Sequence, residues 1–297
     1  MQIATSLFYD RSTKAMGGLS AKADALQTQI STGTKFTAPS SDSAAYQRLA
    51  GLKRDAVNDS AYAANVTTAA SVLQQADTSL SAINDQLAKV SELVIQAKTG
   101  TLNDANRKAI GAEIASIIDT IASLANAKDL RGEAVFGGAD GGAAVTKNAD
   151  GSYTLTATSV PAIPIGDGQS VQANESASRI FKSGDTDAFA MLGAIATALQ
   201  ADPYDSTKLD TALEDITAIS DQVSTVQASL GARATRVDLE AARLKDVAVD
   251  REDTRSAIED TDVTTTVIEL QKTMTILSAT QASFSKLSQL SLFDYLR

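Results

Sequence analysis

Residues 263–287 read VTTTVIELQKTMTILSATQASFSKL. Within them Val263, Val267, Leu270, Met274, Leu277, Gln281, Phe284 and Leu287 recur four and three apart, the seam spacing of a coiled coil. The opposite end of the chain carries the same spacing in Met16, Leu19, Ala23, Leu26 and Ile30, with Ile3 and Leu7 further out. Neither stripe has anything local to bury against, so each needs a partner helix, either the other end or another copy. Assembly is therefore the first property the residues point to.

Composition agrees. The 297 residues are 43% hydrophobic but only 4% aromatic, with no Trp, Cys or His. Ala, Leu, Ile and Val suit narrow seams between helices better than a broad core built on rings. The net charge of -10 lacks the basic footprint that displaces counterions from phosphate, so nucleic acid is set aside. An anionic membrane surface would repel the chain, and no apolar run approaches the roughly 20 residues that span a bilayer. Met1 to Leu19 include Asp10, Arg11 and Lys14 and lack a continuous apolar stretch, which argues against a cleavable secretory signal.

Working inward, the first helix is expected over 6–32, ending at Gly33. The turn formers Pro39, Ser40, Ser41 and Asp42 follow, with Asp42 or Ser43 as the next helix cap. A long helix is predicted over 43–98, its stripe running Val66, Ala69, Leu73, Ala76, Leu80, Ile83, Leu87, Val90, Val94, Ala97. A shorter one is expected near 105–128. From Arg131 to Gly184 the period changes: glycines crowd in and Tyr153, Leu155 and Ala157 alternate with threonines. Asp150-Gly151 and Asp167-Gly168 are hairpin signals. Helix resumes over about 187–201 and from 206, with the stripe Leu209, Leu213, Ile216, Ile219, Val223, Val226, Leu230, Ala234, Val237, Ala241, Leu244. The expected fold is mainly α: long antiparallel helical rods, a coiled-coil bundle, with a small β-rich insert at one end. The expected domains are 1–42 and 246–297 as assembly helices, 43–130 and 187–245 as the two halves of the rod, and 131–186 as the outer insert. The terminal helices, detached from the rods, are expected to be poorly ordered in a free monomer.

Little supports catalysis. The commonest general base and the best thiol nucleophile are both missing. The clusters Asp250/Glu252/Asp253 and Glu259/Asp260/Asp262 lack the Gly-centred spacing of a calcium loop and read as solvated positions or a helix junction. No catalytic residue, metal or cofactor is expected.

The segment Gln29-Ile30-Ser31-Thr32-Gly33, followed by Pro39-Ser40-Ser41-Asp42, resembles the N-terminal signature of the bacterial flagellin superfamily. The opening Met1-Gln2-Ile3-Ala4-Thr5 with Tyr9, and the closing Leu290-Ser291-Leu292-Phe293-Asp294-Tyr295-Leu296, are more similar to its junction-forming, hook-associated members than to filament flagellin. Arg131-Gly132-Glu133 to Val135-Phe136-Gly137-Gly138 is similar to the point where the family leaves its helical core. Leu87 to Gln96 resembles the flagellin stretch recognised by an innate immune receptor, with Lys89, Leu93 and Glu113 as a weak receptor-like face. Lys89 stands where flagellins of that type carry Arg, and losing the forked guanidinium weakens that likeness.

The resemblance implies a structural flagellar subunit that joins hook to filament, with a short filament flagellin and, less favoured, a surface glycan-binding homologue as alternatives. It implies export by the flagellar type III route to the extracellular flagellum, without a cleaved signal. The implied partners are copies of itself in a helical or ring-like layer, a neighbouring hook-associated protein, flagellin, and an export chaperone at the C-terminal helix. The assembly interface would be Ile3, Leu7, Met16, Leu19, Leu26, Ile30, Val263, Val267, Leu270, Met274, Leu277, Phe284, Leu287, Leu290, Leu292 and Phe293.

Overall fold

The computed structural model describes residues 2–295 except 37, 100, 101, 130, 140, 159 and 185, with side chains described between 7 and 286. In chain order it holds α1 (Gln2–Thr32), α2 (Ser43–Lys98), α3 (Asp104–Ala125), β1 (Val145–Lys147), β2 (Tyr153–Leu155), β3 (Ile163–Gly166) and β4 (Gln169–Val171). There follow α4 (Ala177–Phe181), β5 (Lys182–Ser183), β6 (Thr186–Asp187), α5 (Ala188–Gln200), a 3-10 turn at Ser206–Leu209, α6 (Ala212–Glu259) and α7 (Val263–Tyr295). The protein is mainly α with three small antiparallel strand pairs among its described residues, as the periodicities require. It divides into two compact units, residues 1–57 with 247–297, and residues 58–246.

In the second unit, every member of the stripe from Val66 to Ala97 is buried. α6 runs antiparallel to α2: Gln227 donates to Asp77 and Ser81, Asn84 meets Ser220 and Ser224, and Lys98 donates to the Leu209 carbonyl. On α6 the buried row is Ile216, Ile219, Val223, Val226, Leu230, Val237 and Leu244, joined by Ala212 and Glu240. One expected position is thereby corrected. Ala241 is exposed because the neighbouring Glu240 takes the inward place, whereas Leu213 and Ala234 are half-buried against the core. α3 is capped by Asn103, whose side chain accepts from the Asn106 N–H. It presses against α5 at Gly111, where an added Cβ would lie 3.0 Å from the Ala196 carbonyl.

The insert starts in a turn organised by Asp129, whose Oδ1 accepts from the backbone N–H groups of Arg131 and Glu133. Both hairpin signals form hairpins, with Gly151 at φ 83° and Gly168 at φ 64°, the left-handed conformation that favours glycine. The short helix α4 and the pair β5–β6 were not foreseen, being too short to show a period. The buried aromatics among the described residues gather here and at the start of α5. Phe136, Phe181 and Phe189 are fully buried, and the Phe189 ring packs against those of Tyr153 and Phe181. The insert lies along the flank of α6, not beyond the α2–α3 turn as a tip would. Gln222 donates to the Arg179 carbonyl, Arg233 to the Gln172 carbonyl, and Asn65 on α2 to the Pro164 carbonyl. Flank docking is possible because two buried carboxylates, Glu175 and Glu240, are met by Arg233 with Arg179 and by Arg243.

In the first unit α1 and α7 lie antiparallel. Lys22 meets Glu269 at 2.7 Å, and the Tyr9 and Phe284 rings contact edge to face at 5.3 Å between centroids. The two chain ends thus cover one another along one face. Gly33, at φ 72°, ends α1. Asp42 caps α2 through the N–H groups of Ala44 and Ala45.

Candidate assembly surface

The neck of the α1–α7 pair is closed by a short β bridge. Thr34 pairs with Asp260: the Lys35 N–H donates to the Glu259 carbonyl and the Thr261 N–H to that of Gly33. Arg255 gathers three carboxylates beneath it, Glu252 at 2.8 Å, Glu259 at 2.8 Å and Asp260 at 3.1 Å. Its hydrogen bonds hold Glu252 below the ordinary carboxylate range. Asp260 is held down first by the Ser256 hydroxyl and then by Arg255. The same contacts raise Arg255. Asp262 caps α7 through the N–H groups of Thr264 and Thr265 and the Thr265 hydroxyl, which lowers its pKa. The acidic stretch is therefore a helix end and a junction. No group of three or more potential metal ligands occurs among the described residues.

Beyond the neck, α1 half-buries Met16, Leu19, Ala23 and Ile30 and buries Leu26. On α7 the inward places fall to Thr266 (8% exposed) and Thr273 (3% exposed), with Val267, Leu270, Leu277, Thr280 and Phe284 half-buried beside them. Val263 and Met274, read from the sequence as seam residues, stand 47% and 55% exposed, and Leu7 is 48% exposed. Phe8, Ile268 and Ile276, which fall off the expected seam spacing, are also exposed. The alternative register Thr266, Leu270, Thr273, Leu277, Thr280, Phe284 has the same three-four spacing as the expected one and shares its leucines. It is visible only if threonine is admitted as a seam residue. A shallow groove lined by Phe8, Ser12, Ile276, Ala279, Ser283 and Phe284 runs between the two helices. The side chains of Ile3, Leu287, Leu290, Leu292 and Phe293 lie outside the described residues.

The receptor-like face does not present its residues together. Leu93 is packed into the core, while Lys89 and Glu113 are ion-paired across α2 and α3 at 3.0 Å.

A chain whose two ends pair as apolar-flanked helices, with a β insert between two long helices, matches two known family regions. The bacterial flagellin N-terminal helical region matches residues 6–140, and the bacterial flagellin C-terminal helical region matches residues 213–296. The chain belongs to the bacterial flagellin superfamily, a family of structural proteins of the flagellum. Within that family it is similar to flagellar hook-associated protein 3 of Escherichia coli (strain K12), with 24% identity over 315 aligned residues that cover 99% of each chain. Two solved structures share its fold. FlgL of Xanthomonas campestris aligns with a TM-score of 0.62 at 18% identity, over 69% of this chain and 99% of that one. The flagellar hook associated protein-3 of Legionella pneumophila aligns with a TM-score of 0.62 at 16% identity, over 70% and 98%. No helix among the described residues is long and apolar enough to cross a membrane.

Proposed function

We propose that this chain is a structural subunit of the flagellum that joins hook to filament by packing its α1–α7 pair among neighbouring subunits. The observation that carries the reading is the exposure of Leu7, Phe8, Val263, Ile268, Met274 and Ile276 on one helix pair of a flagellin-superfamily chain. Apolar residues grouped on one element of a protein 21% charged overall call for cover by another molecule. Full-length similarity to a hook-associated protein 3 favours the junction over the filament. The partners in this reading are further copies of the chain in a helical or ring-like layer, a second hook-associated protein and flagellin. Before assembly an export chaperone covers the apolar rows of α7, and the subunit leaves the cell by the flagellar type III route. The roles of the insert and of the α2–α3 face are structural.

Electron microscopy and sedimentation of the purified chain, alone and with isolated hook structures, test the proposal. A short cap on hook ends that does not elongate alone is the expected result. Long filaments formed by the chain alone would overturn it in favour of a filament flagellin.

A further inference from the structure

Helix α5, AFAMLGAIATALQ, carries no charged residue, yet one of its faces is uncovered: Ala190, Ala194 and Thr197 are exposed and Gly193 is half-exposed. A glycine inside a helix weakens it relative to alanine. Packing within the chain does not call for one at residue 193, since an added Cβ would meet nothing within 4 Å. The face borders a cleft of about 290 Å³ lined by Asp187, Ala190, Met191, Ala194, Lys208 and Asp215. Its surroundings are acidic. Residues 202–215 hold Asp202, Asp205, Asp210, Glu214 and Asp215 against one lysine, Lys208. Lys108 and Lys98 approach Asp202 and Asp210 at 3.6 and 3.8 Å, which leaves Glu214 and Asp215 without an ion pair among the described residues. Residues 58–246 in fact hold all of the chain's net negative charge, the other unit being balanced.

The first turns of α2 are the complement. Arg48 and Arg54 are exposed there, and neither has an ion-pair partner among the described residues. They flank Gly51, where an added Cβ again meets nothing within 4 Å, so the backbone is open to close approach. A ring-like or helical layer requires two unlike faces of this kind, because successive copies around an axis meet through different surfaces.

We propose that the α5 face and its cleft receive the first turns of α2 of a second copy of this chain. Arg48 and Arg54 of one copy then meet Glu214 and Asp215 of the next, and the two helices come closest at Gly51 and Gly193. This pairing of surfaces rests on the assembly of copies proposed above and specifies the contact that joins them.

The test uses the full chain, which has no Cys of its own. Gln47→Cys and Ala194→Cys proteins, mixed in equal amounts and oxidised with copper phenanthroline, should give mainly the mixed disulfide dimer. It should form both in concentrated solution and on isolated hooks. Arg48→Glu/Arg54→Glu or Glu214→Lys/Asp215→Lys, built into both partners, should each lower its yield about tenfold, the scale of two exposed charge pairs. The two reversals combined in one chain should restore the yield, since the faces are complementary again. Gly193→Ala should lower the yield with the melting temperature unchanged or raised, a readout that does not depend on a charge-reversed variant folding. Absence of the mixed dimer in both settings, equal yields from all charge variants, or no recovery in the combined chain would each overturn the inference. Should the acidic-face and Gly193 variants weaken attachment to hooks while no mixed dimer forms, the face meets a hook-side neighbour and the assignment to a second copy falls. A mixed dimer in solution from a chain that never attaches to hooks would instead overturn the junction reading alone.

Discussion

Glu240 occupies the space that any side chain at residue 166 would need. A Cβ built on Gly166 would lie 2.6 Å from Glu240 Oε1. The carboxylate is buried and cannot swing aside freely, because Arg243 holds it through Nε at 2.9 Å and Nη2 at 2.6 Å. This contact brings strand β3 of the insert directly onto α6 and explains how a charged residue sits within an apolar helix row.

Gly166→Ala should therefore cost about 1–3 kcal/mol, the usual range for forcing an extra carbon into a filled site. Denaturant unfolding of the full chain would register it. Gly151→Ala, with open space around its Cβ, carries only the strain of its φ of 83°.

Arg233 reaches from α6 to Glu175 at 3.0 Å and to the Gln172 carbonyl at 2.9 Å, and Glu175 is 6% exposed. Arg233→Met leaves that buried carboxylate to Arg179 alone. The expected loss is about 2–4 kcal/mol, less than a fully unpaired buried charge would cost, because Arg179 still meets Glu175 at 3.0 Å. Protease cutting within 131–186 should increase at the same time.

The insert hairpin is tied to α3 by Asp119, which accepts from Lys147 at 2.6 Å and from Tyr153 at 2.7 Å. The Lys147 hydrogen bond first, and the Tyr153 hydrogen bond second, hold the Asp119 carboxyl below its ordinary range. A lowered carboxylate pKa adds stability that is full above the unfolded value near about pH 4 and is lost as pH falls through the folded value. Asp119→Asn should thus melt earlier than the parent at pH 7, and the two melting curves should converge on acidification below about pH 4.

Deleting residues 1–33 or 263–297 should leave a soluble monomer that keeps the helices of residues 58–246 but does not assemble. These helices bury their own stripes within that unit. Circular dichroism should lose only the signal of the deleted helix and of its unpaired partner; a larger loss would show that the units fold as one.

Much of this protein was legible in its residues because the deciding signals are local. Asp42 after Pro39 marks the start of α2, Gly33 the end of α1, and the glycines of Asp150-Gly151 and Asp167-Gly168 supply the positive φ their turns need. The unbroken three-four stripe from Val66 to Ala97 needs no knowledge of its partner to be read as buried. The resemblance to the flagellin superfamily was likewise legible in short stretches, and the family regions matched over residues 6–140 and 213–296 show the membership.

What the tertiary structure alone decided is which way each stripe turns. Periodicity determines the spacing of a seam but not its rotation about the helix. At two neighbouring residues, either Ala241 or Glu240 satisfies the spacing, and Arg243 and Gly166 decide for the glutamate. On α7 the leucines serve two registers, and contact with α1 selects the one containing Thr266 and Thr273, leaving Val263 and Met274 outside. Leu93 is withdrawn from the surface for the same reason, by neighbours distant in sequence. The place of the insert on the flank of α6 depends on Glu175 finding Arg233, a pairing across 58 residues. Local chemistry settles where helices and turns begin and end; only the meeting of distant side chains settles which face is buried.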